Sequence, residues 1–241
     1  MNRLAVLIKG EFERLSKYNL FTASFVASSM YVVMAYLLST EQLMGFLPLI
    51  FITDSTMMTI VLVGATLFYE KKEHTINSIM VTPATYDEYL YAKAVVNIGN
   101  SLFTVAFVSI AVYLMKDLTY GYLHIVASTV LVTLLHTWIG VRIAFTAKNF
   151  ASMLISFMSY MLVFMLPSIL AQTGVIGEGV ARFLIFLPLE SSLNLLEAGF
   201  APVEPWKIVF GYAYLVALTF AFYRFAVKPR FAEYMMREMG V

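Results

Sequence analysis

Cysteine is absent from the 241 residues, which excludes disulfides, thiolate metal sites and cysteine nucleophiles. Charge is scarce. Asp, Glu, Lys and Arg make up 13% of the chain, about half the roughly 25% of a soluble domain, so a water-facing surface cannot be covered. A net charge of +1 offers no basic surface to nucleic acid. No Gly-Lys dipeptide occurs, so there is no G-x-x-x-x-G-K-[ST] loop to cradle ATP phosphates. HExxH and G-x-S-x-G are also missing, and His74, His124 and His136 are scattered without metal spacing. The first twenty residues do not read as a signal peptide, because Glu11, Glu13, Arg14 and Lys17 interrupt any apolar core.

What the chain has is apolar length. Hydrophobic residues make up 61% of it. A helix needs about 20 such residues to cross roughly 30 Å of hydrocarbon. Six segments qualify: Leu20–Leu38, Gly45–Phe68, Ala94–Met115, Gly121–Phe145, Phe150–Ala171 and Trp206–Val227. The runs are long and do not alternate, so the expected fold is an all-α membrane protein rather than a barrel. Of the 16 Lys and Arg residues, all but Lys116, Arg182 and Lys207 fall on one side of these spans. That asymmetry predicts both termini inside, with 228–241 an inner tail, in one transmembrane domain covering 1–241.

Residues 3–18 precede the first span. Leu4, Ile8, Phe12 and Leu15 fall on one helical face, with Lys9, Glu13 and Lys17 on another. An amphipathic helix on the inner leaflet fits this pattern, and so does a helix packed on another protein. Residues 69–93 form a charged inner segment. Residues 172–205 are apolar but broken by Pro188, Pro202 and Pro205, which predicts short re-entrant helices at the outer side.

Asp54 is the one acidic residue well inside a predicted span. Insertion there costs roughly 2.5–3.5 kcal/mol, so it reads either as lining a substrate route or as a carboxyl bonded to a neighbouring hydroxyl. Met57, Val61, Gly64 and Ala65 are placed on its face. His136 shares a face with Thr129, Thr133 and Gly140, and is read as an interhelical contact or as a proton relay. Asn97, Asn100, Ser101 and Thr104 stripe the third span, and Ser152, Ser156 and Ser159 the fifth. Such stripes let helices pack closely or face an aqueous route. Asp54, Met57, Asn97, His136 and Ser156 are the candidate route residues.

The segment after the second span carries a motif. It resembles the permease subunits of type-2 ATP-binding-cassette exporters, which read E-r-e-x-G-T-l-e-x-L-l-v-T-P-x-x-x-x-E-x-l-x-x-K at that place. Glu70, Thr75, Ile79, Thr82-Pro83, Glu88 and Lys93 match, while His74 replaces the glycine and Asn77 the acidic residue. The opening LAVLIKGEFERL with Glu11 resembles the family's connecting helix, and FLPLESSLNLL its re-entrant helices. The resemblance implies a non-enzymatic export permease working as a dimer with a second copy or a homologous permease, in the inner membrane of a prokaryote. It further implies two separate cassette ATPase subunits that hold ATP and Mg, with no cofactor on this chain. It assigns coupling to Glu70, Thr75, Ile76, Ile79, Met80, Thr82, Pro83 and Glu88, and mildly favours a small amphiphile or drug as substrate. On the residues alone, an Ile/Met knob stopped by Pro83 reads as a docking surface or as an ordinary solvated loop. A different class of function is a self-contained ion-coupled carrier or channel using Asp54, or an intramembrane enzyme.

Overall fold

The computed structural model describes residues 3–172 and 174–239. Its ordered elements there are helical. Helix α1 (Arg3–Lys17) is separated from α2 (Leu20–Leu37) by Asn19, whose φ of 56° is a left-handed conformation that asparagine tolerates. Helix α3 runs Thr40–Lys72, opened by a Ser39–Gln42 capping box. A short helix, α4 (Thr75–Met80), leads to α5 (Tyr86–Lys116), α6 (Tyr122–Thr146) and α7 (Phe150–Gln172). Then come α8 (Glu178–Ala181), a 3-10 turn at Arg182–Phe186, and α9 (Pro188–Glu197). Helix α10 (Pro205–Ala221) passes through a π-helical stretch, Phe222–Val227, into α11 (Lys228–Met239).

Six helices are long and apolar enough to cross a membrane, as the sequence predicts: α2, α3, α5, α6, α7 and α10 with its continuation. Several boundaries move. The predicted inner segment 69–93 shrinks to about its middle, because α3 continues to Lys72 and α5 starts at Tyr86. Tyr86–Lys93 is continuous with the third span, because no proline or glycine interrupts the helix there. The predicted tail is an ordered helix to Met239, while Gly240 and Val241 lie outside the described residues. The predicted re-entrant region contains a helix pair bent by 91° ahead of Pro188. There Tyr214 donates to the Phe186 carbonyl at 2.6 Å, and Ser191 hydrogen-bonds the Ile185 carbonyl.

Helix α6 is the hub, packing on α3, α5, α7, α9 and α10. Its span is 67% buried, against 17% for the first, fifth and sixth, so those three turn most of their sides outward. Residues on α3, α6 and α10 make one shared apolar cluster: Ile60, Val132, Leu135, Ile139 and Leu215 are buried together. The crossing of α3 and α6 is close because Gly140 lacks a side chain. A Cβ there would stand 2.4 Å from Val63 Cγ1 and 3.0 Å from the Ile60 Cα, and backbone cannot move aside cheaply. Gly140→Ala is therefore expected to destabilise the protein by about 1–3 kcal/mol. Thermal unfolding in lipid discs checks this, and an unmoved midpoint would contradict so tight a crossing.

Two face assignments need correction. Helix α3 contains a π turn at Asp54–Met58, one residue too many for the α-helical register. Asp54 is 1% exposed, whereas Met57 is turned partly outward, so the two do not share the face that 3.6-residue spacing predicts. On α1, Phe12 is 51% exposed beside Phe21, while Glu11 and Leu15 are buried. Of the predicted apolar face, Ile8 and Leu15 do pack inward, against Leu62 and Val96, while Phe12 turns out and the charged Glu11 is pulled in.

Candidate functional site

Glu11 and Arg14 on α1, Glu70 near the end of α3, and Tyr89 and Lys93 on α5 meet in one buried cluster. Lys93 Nζ lies 2.8 Å from Glu11 Oε1 and 3.0 Å from Glu70 Oε1. Arg14 reaches Glu70 Oε1 at 2.8 Å through Nε and Glu11 Oε2 at 2.6 Å through Nη2. The Tyr89 hydroxyl donates to Glu70 Oε2 at 2.5 Å. Two anions face two cations, so the cluster is neutral and every charge has a partner. Burial works against the charge on Glu11, yet Lys93 and Arg14 outweigh it and hold that carboxyl below its ordinary value. Burial likewise opposes the Arg14 charge, but Glu70 and Glu11 keep it firmly protonated. Since Glu11 is depressed relative to the unfolded chain, its contribution is complete above the ordinary carboxylate range and is lost as pH falls through the lowered value.

This cluster mounts the short α4 segment. The chain leaves α3 just past Glu70, and Glu73 is gripped by Lys17 at 2.7 Å and Tyr18 at 2.8 Å. His74 then takes φ 55°, a left-handed turn, at the position where the resembled family has glycine. Thr82 closes α4 by donating to the Ile79 carbonyl at 2.6 Å, and Arg3 of α1 donates to the Pro83 carbonyl at 3.0 Å. Thr85 and Glu88 form the capping box that starts α5. Asp87 accepts from Lys228 at 2.7 Å and Tyr223 at 2.6 Å, which ties the same corner to α10 and α11.

The predicted coupling residues thus divide. Glu70 is fully buried and touches only its own chain, so its influence runs through Arg14, Tyr89 and Lys93. Glu88 is engaged as a helix cap. Ile79 packs against a cluster that includes Leu67, Tyr89, Phe231 and Tyr234, so it is not the free knob that its spacing suggests. The side chains of Ile76 and Met80 lie outside the described residues. Thr82 and Pro83 are exposed at the tip, next to Val81 at 87% exposure. Sequence reasoning passed over Val81, Arg14 and Tyr89. A charged residue three positions after Glu11 on an otherwise apolar-facing helix was the available signal for Arg14.

The predicted route residues are only partly brought together. Asp54, Asn97 and His136 are buried in the interior of the bundle. Asn97 Nδ2 lies 3.5 Å from Thr137 Oγ1, and the Asn100, Ser101 and Thr104 face is buried as its spacing predicts. His136 fits the interhelical reading: the Val132 carbonyl lies 2.8 Å from Nδ1, which therefore carries the hydrogen, and the Tyr160 hydroxyl donates to Nε2 at 3.1 Å. Ser156 stands apart, because its hydroxyl turns back to the Ser152 carbonyl at 3.0 Å. A separate cleft of about 860 Å³ opens by the bent helix pair, lined by Arg182, Glu190, Asn194, Glu204, Trp206 and Lys207.

A family model described as the fluoroquinolones export permease protein family matches residues 2–239. The chain belongs to this family. It is also 29% identical, over 196 residues and 80% of each chain, to proteins named fluoroquinolones export permease protein from two strains of Mycobacterium tuberculosis, CDC 1551 / Oshkosh and ATCC 25618 / H37Rv. The match spans the charge cluster, the α4 segment and all six long helices of the permease. It is a multi-pass membrane protein of an export family, as the motif in 70–93 leads one to expect.

Two outcomes test the mounting of α4. Lys93→Ala leaves Glu11 and Glu70 buried with one cation between them, and should destabilise the permease by about 3–5 kcal/mol. The charge-neutral pair Glu70→Gln with Lys93→Met should lose clearly less than Lys93→Ala alone, as read by thermal unfolding. At the turn, His74→Val should cost about 1–2 kcal/mol and His74→Gly should not. Equal melting of these two His74 variants would show that the left-handed turn is unimportant.

Proposed function

We propose that this permease is the membrane-spanning half of an ATP-driven exporter in a bacterial cell membrane. Two copies, or one copy and a homologous permease, enclose the substrate route, and both ends of the chain face inward. Two separate cassette ATPase subunits hold ATP and Mg and grip the tip Val81–Pro83. The observation that carries this reading is the contrast between an apolar exposed tip and a base bolted to α1, α3, α5 and α11. A loop with no mechanical task would not need charges buried in lipid-facing helices to fix it. With this mounting, a push on the tip moves these four helices together rather than bending a loop.

The names of the relatives supply the substrate class. We extend fluoroquinolone-like compounds, planar zwitterions of drug size, to this chain as the expected cargo. The cleft by the bent pair suits the release of such a molecule, with Arg182 and Lys207 for a carboxylate, Glu190 and Glu204 for an amine, and the Trp206 ring for a flat face.

Co-purification with the cassette ATPase encoded beside it, followed by reconstitution, tests the assignment. ATP-dependent export of a fluorescent fluoroquinolone is expected, with Val81→Asp abolishing export while the permease still folds. Transport by the permease alone on an ion gradient, or full export by Val81→Asp, would overturn it.

A further inference from the structure

Asp54 has no part in the coupling mechanism, yet it sits at the most conspicuous irregularity in the bundle. The π turn of α3 presents its carboxyl inward at 1% exposure, and among the described residues neither oxygen has a hydrogen-bond partner. Its polar neighbours are the hydroxyls of Ser101 and Thr104 on α5. Proton accounting shows what those hydroxyls can offer. Ser28 of α2 uses its single hydrogen on the Ser24 carbonyl at 2.9 Å. In the 2.9 Å contact between Ser28 and Thr104, Thr104 must therefore be the donor. Thr104 is left with lone pairs alone to turn toward Asp54. Thr59 in the same way spends its hydrogen on the Asp54 carbonyl at 3.3 Å, which leaves Ser101 to donate across the 3.5 Å contact with Thr59.

The chamber is thus rich in acceptors and short of donors. Asn100 Oδ1, another acceptor, is buried without a partner on the same face of α5. Among the described residues no cation pairs with this carboxyl. From α2 the ionisable group facing Asp54 is the Tyr31 phenol, which makes no hydrogen bond to it. From α5 the facing groups are amides and hydroxyls. On α6 the buried ionisable group is His136, and both of its ring nitrogens are engaged elsewhere. An ionised carboxylate pointed at lone pairs in a dry interior has nothing to hold it there.

We propose that Asp54 is a proton-binding site inside each copy of the chain, its carboxyl kept protonated by burial with no donor to hold the anion, and its hydrogen exchanged with water only when α2 parts from α5. The barrier to exchange is built from the first span, joined to α5 by two polar bonds, Ser28 to Thr104 and Asn100 Nδ2 to Ser24 Oγ at 2.8 Å, and by Phe21 and Phe25 against Phe103 and Phe107. Most of the remaining surface of α2 faces outward. Opening α2 exposes the carboxyl and lets its proton leave. Closing α2 on an ionised Asp54 is disfavoured until a proton returns. A conformational cycle of the bundle then moves a proton on and off this one group.

Infrared spectroscopy of the purified permease in lipid discs tests this. The carbonyl stretch of a protonated carboxyl should be present at neutral pH, at the frequency of a non-bonded carboxyl, and should disappear in Asp54→Asn. If Asp54→Asn fails to fold, a shift of the band in Asp54→Glu assigns it. In heavy water the isotope shift of the band should develop slowly at rest and faster during ATP turnover with the cassette subunits. Absence of the band, or its complete shift within the mixing time at rest, overturns the proposal. Sodium-dependent thermal stabilisation that is lost in Asp54→Asn, with no carboxyl band, would make this an alkali-cation site and equally overturn it. The resting band is independent of the export reading; only the acceleration by ATP rests on it.

Discussion

Four charges and a phenol, taken out of water together, hold the basic end of this permease in place. Glu11, Arg14, Glu70, Lys93 and Tyr89 come from three helices that are not consecutive along the chain, and each charge is compensated within 3.0 Å. In a low-dielectric setting such a cluster adds little net stability over apolar packing, but losing one member leaves an uncompensated buried charge. Its effect is positional. The amphipathic helix, the end of the second span and the start of the third can meet in only one register if all four charges are to be paired. That register in turn decides which face of α1 turns inward, and it places the start of α4.

The rest of the corner follows from this. Once α3 ends at a fixed height, the left-handed turn at His74 redirects the chain, Lys17 and Tyr18 hold Glu73, and Arg3 holds the far side at Pro83. The α11 helix closes the remaining side: Tyr234 stacks on Phe145, and Phe231 packs tilted against Phe145 and Tyr89. Residues that a motif would assign to a partner surface are spent on this construction. Glu70 compensates charge, Glu88 caps a helix, and Ile79 fills space. Val81, Thr82 and Pro83 stay exposed at the tip. Three residues of the motif thus build the mounting of α4 from within the chain.

The middle of the bundle obeys a different rule. Helices in lipid gain little from hydrophobicity and associate through small residues and hydrogen bonds. Here Gly140 admits α3 against α6, and Ser24, Ser28, Asn100 and Thr104 join α2 to α5. The polar stripe on the third span is of this kind, since it lies inside a single chain. The serines of the fifth span satisfy themselves on their own backbone and face outward or half outward. Two stripes that look alike as letters have different tasks because only one of them meets another polar face.

By itself the sequence determined the number of spans, their helical nature, the uneven distribution of basic residues and the register of the 70–93 motif. These depend on composition, run length and spacing along one helix, all of which are local. The start of α5 at Tyr86 is local in the same sense, with Asp87 and Glu88 in its first turn. Tertiary structure alone decided that Glu11 faces in and Phe12 out, that Asp54 lies on a π turn away from Met57, and that Glu70 is hidden among partners from α1 and α5. Those outcomes require charges separated by as many as 82 positions to find one another. No helical periodicity encodes such a meeting, since it is set by the need to neutralise buried charge and not by the order of residues along any one helix.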